Sequence, residues 1–156
     1  MIAWIINIFS FVLNQFKRFL PAAFKSNDLT QVFNYHYVPG LFATSGQPNP
    51  YELDLIANNG YQVVINLAPT SFFEGSIIDE EKILTSKKVT YLHIPVDFKN
   101  PSKADFHAFV DSVKQNKHKK IWVHCAANMR VSAFVYKYRR DELGLEEKDI
   151  YNDMKL

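Results

Sequence analysis

The spacing of apolar positions divides the chain into an apolar leader over residues 1–24 and a longer segment over residues 29–156 in which strand-like and helix-like runs alternate. LFATS (41–45) has the length of a short strand. PNPYELDLIANNG (48–60) reads as a helix with a proline start and a glycine stop. YQVVINL (61–67) is β-branched and continuously apolar, as a strand covered on both faces should be. SIIDEEKILTSKK (76–88) opens with a Ser76-x-x-Asp79 capping pattern and carries Ile77, Ile78, Ile83 and Leu84. VTYLHIPV (89–96) is the third strand. SKADFHAFVDSVKQNK (102–117) is a helix with Phe106, Phe109, Val110 and Val113 at i, i+3, i+4 and i+7. KIWVHC (120–125) is the fourth strand, and residues 129–143 form a helix whose Val131, Phe134, Val135 and Tyr138 repeat the spacing. This order predicts an α/β fold of three layers: a mainly parallel, four-stranded sheet flanked by helices, with right-handed crossovers. Ligands in such sheets gather at the carboxyl ends of the strands.

The leader, MIAWIINIFSFVLNQFKRFL, behaves differently. On a helical wheel Asn7, Ser10, Asn14, Lys17 and Arg18 share a narrow face, and Ile5, Phe9, Val12, Phe16 and Leu20 lie opposite. Phe11 and Trp4 blur the division, and Pro21 marks an end. The uninterrupted apolar run falls short of the ~20 residues a span needs. No positive n-region precedes it, so a secretory or periplasmic route through a signal peptide is disfavoured. An extra N-terminal helix lying on a membrane surface through residues 1–20 fits the pattern best. Lys17 and Arg18 would then keep the following domain cytoplasmic, or on the cytoplasmic side of the membrane. The alternative is a helix that packs on its own domain.

Composition narrows the chemistry. With 156 residues there is room for one domain with a real core, and 47% apolar with 22% charged residues is globular rather than disordered. A formal charge of +2 makes no case for nucleic acid. The single cysteine excludes an intrachain disulfide, and the five scattered histidines form no metal-ligand spacing, so neither a metal nor another cofactor is expected. Lys114, Lys117, Lys119, Lys120, Arg139 and Arg140 read as solvated positions.

That cysteine ends the fourth strand, in KKIWVHCAANMRVSAF (119–134). Four residues separate Cys125 from Arg130, where a helix begins. Unpaired amides and the dipole of a helix N-terminus favour an anion there, and they favour a thiolate equally. Arg130, turned back over the loop, could offer its fork of donors to a tetrahedral oxyanion. The competing account makes Cys125 a buried filler and Arg130 a surface residue.

VHCAANMR resembles the His-Cys-loop-Arg signature of cysteine-based protein phosphatases, closest to the bacterial beta-lactamase-hydrolase-like phosphatases, themselves similar to the dual-specificity enzymes. LFATSGQPNPYELDLIANNGYQVVINLAP resembles the opening segment of that family, and YLHIPVDF its strand and loop before the signature; together they span roughly residues 35–140. The resemblance implies a cysteine phosphatase-like fold. It also implies hydrolysis of phosphate monoesters, such as the phosphotyrosine, phosphoserine or phosphothreonine of a phosphorylated protein or a small phosphate monoester, through a phosphocysteine intermediate. Cys125 would attack phosphorus, Arg130 would clamp two phosphate oxygens, and the amides of Ala126, Ala127, Asn128, Met129 and Arg130 would bind a third; sulfate or vanadate would occupy the same loop. His124 would lower the thiol pKa from behind. Asp97 would protonate the leaving oxygen, or be a simple turn residue; Asp105 is already explained by the Ser102 capping pattern. Ser45 and Gln47 would brace the loop.

Departures from the family pattern keep other readings open. The loop has four intervening residues rather than five, and Asn128 and Met129 stand where related loops carry a glycine. Val131 takes the place of a hydroxyl, with Ser132 one later, and Ala68 replaces an arginine. The short loop also matches rhodanese-like sulfurtransferases, in which Cys125 would carry a persulfide. A pseudophosphatase that binds phosphate and turns over nothing is the third reading.

Overall fold

The computed structural model describes residues 26–70 and 79–154, together with Val12. The expectations for the leader helix and for Ser76 fall on residues outside that set. Among the described residues no helix is long and apolar enough to cross a membrane.

In chain order the elements are β1 (His36–Val38), β2 (Phe42–Ser45), α1 (Pro50–Asn58), β3 (Val63–Asn66), α2 (Glu80–Ser86), β4 (Thr90–His93), α3 (Lys103–Gln115), β5 (Ile121–His124), α4 (Met129–Asp141) and α5 (Glu147–Ile150), with 3-10 turns at Leu29–Gln31 and Tyr151–Met154. The sheet has five strands, ordered β1-β2-β5-β3-β4. All neighbours pair in parallel except β1, which pairs antiparallel with β2. The sequence pattern predicts four strands, and the fifth is β1. Its three residues, HYV, are too few to show a period, and it is defined only by its hairpin with β2, His36 opposite Thr44.

The helix starts have local causes. Asn49 accepts from the Glu52 amide while Glu52 accepts from the Asn49 amide, and Pro50 presets the first turn of α1. Ser102 and Asp105 form the same reciprocal box at α3. Asp79 is the residue before α2 and makes no side-chain cap hydrogen bond.

Two buried clusters cover the two faces of the sheet. Against α3 and α4 lie Ile65, Leu67, Val96, Phe109, Ile121, Val123, Cys125 and Val131. Against α1 and α2 lie Leu53, Ile56, Val64, Leu84 and Trp122. Strand β5 supplies both, because successive side chains point to opposite faces. Burial of each large side chain contributes roughly 1.5–3 kcal/mol, so the central strand is the best-anchored element and its carboxyl end is a fixed point.

Arg139 corrects one expectation. It is not solvated: its guanidinium donates from Nη1 to both Asp153 oxygens, at 2.8 and 2.7 Å, and pins the C-terminal turn to α4. The partner lies 14 residues away in an irregular turn, beyond the reach of a helical spacing rule.

Candidate active site

The segment Cys125–Arg130 leaves β5 and turns into α4, and its main chain is tied to residues 34–47 at nearly every step. The Cys125 amide donates to the Ser45 carbonyl at 3.3 Å, and the Ala126 carbonyl accepts from the Gln47 amide at 3.0 Å. Asn34 Nδ2 donates to the Ala127 carbonyl at 3.0 Å. Asn128 Nδ2 donates in return to the Asn34 carbonyl at 2.8 Å and to Thr44 Oγ1 at 3.0 Å. With the Ala126 and Ala127 carbonyls drawn towards this brace, the turn has its outward side fixed.

Asn128 sits in the left-handed region, at φ 67° and ψ −2°, and is the N-cap residue of α4. Asparagine tolerates that conformation better than any other non-glycine residue, so the loop closes without the family's glycine. Gly46 matters for a different reason: a Cβ there would stand 2.5 Å from the Phe33 ring and 3.0 Å from the Ala126 carbonyl. The Ser-Gly-Gln turn thus needs its glycine to let the brace approach the loop.

Ser45 and Gln47 both contact the loop through the main chain. The Ser45 hydroxyl is engaged elsewhere, accepting from Trp122 Nε1 at 2.9 Å and donating to the Gly46 carbonyl at 2.7 Å. Ser132 donates its hydroxyl to the Asn128 carbonyl at 2.8 Å, within the first turn of α4. Ala68, in place of the arginine, donates its amide hydrogen to Asn66 Oδ1 and offers its carbonyl to the His93 ring.

Cys125 is a free thiol and only 1% exposed. Arg130 is 8% exposed, so the guanidinium is not turned out to water either. It lies against the ring of Phe98, 5.4 Å from the centroid. Arg130 and Asp97 line one cavity of about 610 Å³ with Pro69, Pro95, Phe98 and Lys99. A smaller cavity of about 100 Å³ shares Asp97, Phe98 and Arg130 and adds Met129. Asp97 is exposed, and its Oδ1 accepts from the Lys99 amide at 2.8 Å, a turn-forming contact that leaves the second oxygen available. Asp105 is committed to capping α3. Cys125 is absent from both cavity linings; it lies beneath the loop whose arginine forms a wall.

Behind the loop, on the α1/α2 face, is a buried polar network that sequence patterning missed. Glu80 Oε1 lies 2.6 Å from His124 Nε2, and these residues are 1% and 0% exposed. Glu80 Oε2 accepts from Asn66 Nδ2 at 3.2 Å and from Gln47 Nε2 at 3.4 Å. Asn66 also donates to the Tyr91 hydroxyl at 3.0 Å. Burial first, and then the negative charge of Glu80, push the Tyr91 phenol well above its ordinary range. In the sequence Glu80 looks like an ordinary acidic residue of a first helical turn. It stands in the charged run Asp79-Glu80-Glu81-Lys82, so nothing in its local sequence sets it apart. Among the described residues no three His, Cys, Asp or Glu side chains could hold a metal ion.

Residues 27–152 match the family described as a DSP-PTPase phosphatase fused to NAD+ kinase. No curated protein matches the chain. A DUF442 phosphatase from Shewanella putrefaciens is 35% identical, with a TM-score of 0.73 over 81% of this chain and 82% of that one. A cysteine-to-serine variant of Pseudomonas aeruginosa TpbA, in complex with phosphotyrosine, shares the fold at 15% identity and a TM-score of 0.64, over 85% and 76% of the two chains. The core domain of the Saccharomyces cerevisiae PP-IP phosphatase Siw14, in complex with citrate, does so at 12% identity and 0.66, over 80% and 75%.

Proposed function

The chain belongs to the DSP-PTPase phosphatase family, and on that premise we propose that it hydrolyses phosphate monoesters through a phosphocysteine intermediate at Cys125. The thiolate attacks phosphorus as the bond to the leaving oxygen breaks, and Asp97 gives that oxygen its proton. Water then attacks the phosphocysteine, Asp97 takes a proton back, and inorganic phosphate and the thiolate are regenerated. Arg130 and the amides of Ala126 to Arg130 hold the equatorial oxygens, where negative charge concentrates. His124, which precedes the nucleophile on β5, would favour its thiolate form from behind the loop. Ser132 sits beside the loop and holds its carboxyl-terminal end in place.

The observation that carries this reading is the shared cavity of Arg130 and Asp97 at the carboxyl end of β5, the strand that runs directly into Cys125. The anion reaches the buried sulfur through the mouth of the loop, between Arg130 and the Asp97 turn. Substrates in this reading are phosphorylated side chains of proteins or small phosphate monoesters. Residues 1–20 would hold the domain at the cytoplasmic face of a membrane.

The test is hydrolysis of a small aryl phosphate by the full chain. Hydrolysis that vanadate inhibits and Cys125→Ser abolishes supports the proposal. Thiocyanate formed from thiosulfate and cyanide, with aryl phosphate untouched, replaces it with sulfur transfer. Thermal stabilisation by sulfate with neither reaction makes the chain a phosphate-binding pseudophosphatase.

A further inference from the structure

Glu80 has no part in the mechanism above, yet it is a carboxylate removed from water and held against the residue that precedes the nucleophile. A buried carboxylate is costly unless paired and hydrogen-bonded. Its two amide donors, from Asn66 and Gln47, are neutral, and the group that can supply positive charge is the His124 imidazole at 2.6 Å. One proton lies between Oε1 and Nε2. The contact is made by Nε2, the ring nitrogen far from the backbone, so the carboxylate stands beyond the imidazole and the ring lies between it and the strand. His124 points to the α1/α2 face and Cys125 follows it at the strand's end, among the residues of the α3/α4 face. The near nitrogen, Nδ1, is buried without a hydrogen-bond partner among the described residues. With that nitrogen unpaired, the Glu80 contact is the hydrogen bond among the described residues that orients the ring.

We propose that Glu80 is a positioning residue for the nucleophile: by gripping Nε2 it holds the His124 imidazole in one orientation and charged, and a cation on the residue that precedes Cys125 stabilises the thiolate and the phosphate-bound loop. This rests on the phosphatase reading and extends it to a residue outside the signature. The other ionisable groups on that side are few. Tyr91, from β4, stays neutral across the working range. His93 stacks on the Tyr91 ring with centroids 6.1 Å apart and meets the Ala68 carbonyl. Glu81, the next residue of α2, is exposed and acts on the network weakly from solvent. Glu52, from α1, is spent on the Asn49 cap.

The experiment compares the wild type, Glu80→Gln and Asn66→Ala in the full chain, with Cys125→Ser as the blank. The thiolate is titrated by its ultraviolet absorbance, and kcat/KM for an aryl phosphate is followed against pH. Glu80→Gln removes the charge and keeps the shape. Its thiolate midpoint is expected at higher pH, with about tenfold less thiolate and about tenfold lower kcat/KM on the acid side, recovering as pH rises. Asn66→Ala breaks the same network while sparing the carboxylate–imidazole contact, so it should lower the melting temperature and leave the midpoint in place. An unmoved midpoint in Glu80→Gln, or an equal displacement in both variants, overturns the proposal. Should Glu80→Gln fail to fold, nitrogen NMR of the wild-type imidazoles decides: a doubly protonated His124 at neutral pH supports the inference, and a neutral ring overturns it. The phosphatase reading fails separately, through a wild type that leaves the aryl phosphate untouched, and its cysteine mechanism through hydrolysis that survives Cys125→Ser.

Discussion

The loop after β5 and the loop after β4 bring the two ends of the proposed reaction together, and they are built in opposite ways. The first, Cys125–Arg130, is buried except at Met129 and half-buried at the two alanines, and is bonded to a second segment through Cys125, Ala126, Ala127 and Asn128. The second, around Asp97–Lys99, is exposed, and the contact that shapes it is local, from the Lys99 amide to Asp97. A nucleophile and its oxyanion donors must be preorganised, because they are useful only at fixed distances from phosphorus. A general acid must reach a leaving group of variable size, so an open turn suits it. The difference predicts that changes in the first loop act on both folding and catalysis, and that changes in the second act on catalysis alone.

The sharpest way to break that contrast is to remove the sulfur. Cys125→Ser should reduce aryl phosphate turnover by at least about a thousandfold and, by placing a hydroxyl among the buried residues of the α3/α4 face, lower the melting temperature as well; retained turnover would remove the nucleophile from the scheme. Asp97→Asn should slow hydrolysis by about 10- to 100-fold, most with poor leaving groups, while stability measured by urea unfolding stays within about 0.5 kcal/mol. A large stability loss would show that the second loop is structural after all. Asn128→Ala attacks the first loop through its backbone. It loses two hydrogen bonds and a tolerated left-handed conformation, at a cost of roughly 2–3 kcal/mol by urea unfolding, and Asn128→Gly should recover part of it. The smallest expected effect is at alkaline pH. Burial pushes the Tyr61 phenol up to about 12 from an ordinary value of 10. Its contribution to stability is complete below pH 10, declines by about 1.4 kcal/mol per pH unit above it as the unfolded chain ionises first, and is gone once pH passes about 12. Urea midpoints of wild type and Tyr61→Phe, measured from pH 9 to 11, should converge as pH rises.

The first loop was also the more legible of the two regions. Strand, lone thiol, short loop, arginine and helix are consecutive, so Cys125 and Arg130 could be named from the chain alone. The brace was legible only in outline: Ser45 and Gln47 were expected beside the loop, but not that Ser45 would act through its carbonyl and give its hydroxyl to Trp122. Asn34, which bonds Ala127 from 93 positions away, carried no local signal. Glu80 was hidden for the same reason, being 44 positions from His124 and part of what reads as an ordinary acidic helix start. Strand β1 escaped because three residues cannot display a period of two. Periodicity reports which face of an element is buried, and partners across the sheet are set by topology.

The most direct measurement is a crystal of the full chain grown with vanadate. Vanadium bonded to Cys125 Sγ, with the Arg130 guanidinium on two of its oxygens and the amides of Ala126 to Arg130 turned inward, is the expected result. Vanadate found only elsewhere, with the Cys125 sulfur still buried among the residues of the α3/α4 face and no anion in the loop, would contradict it.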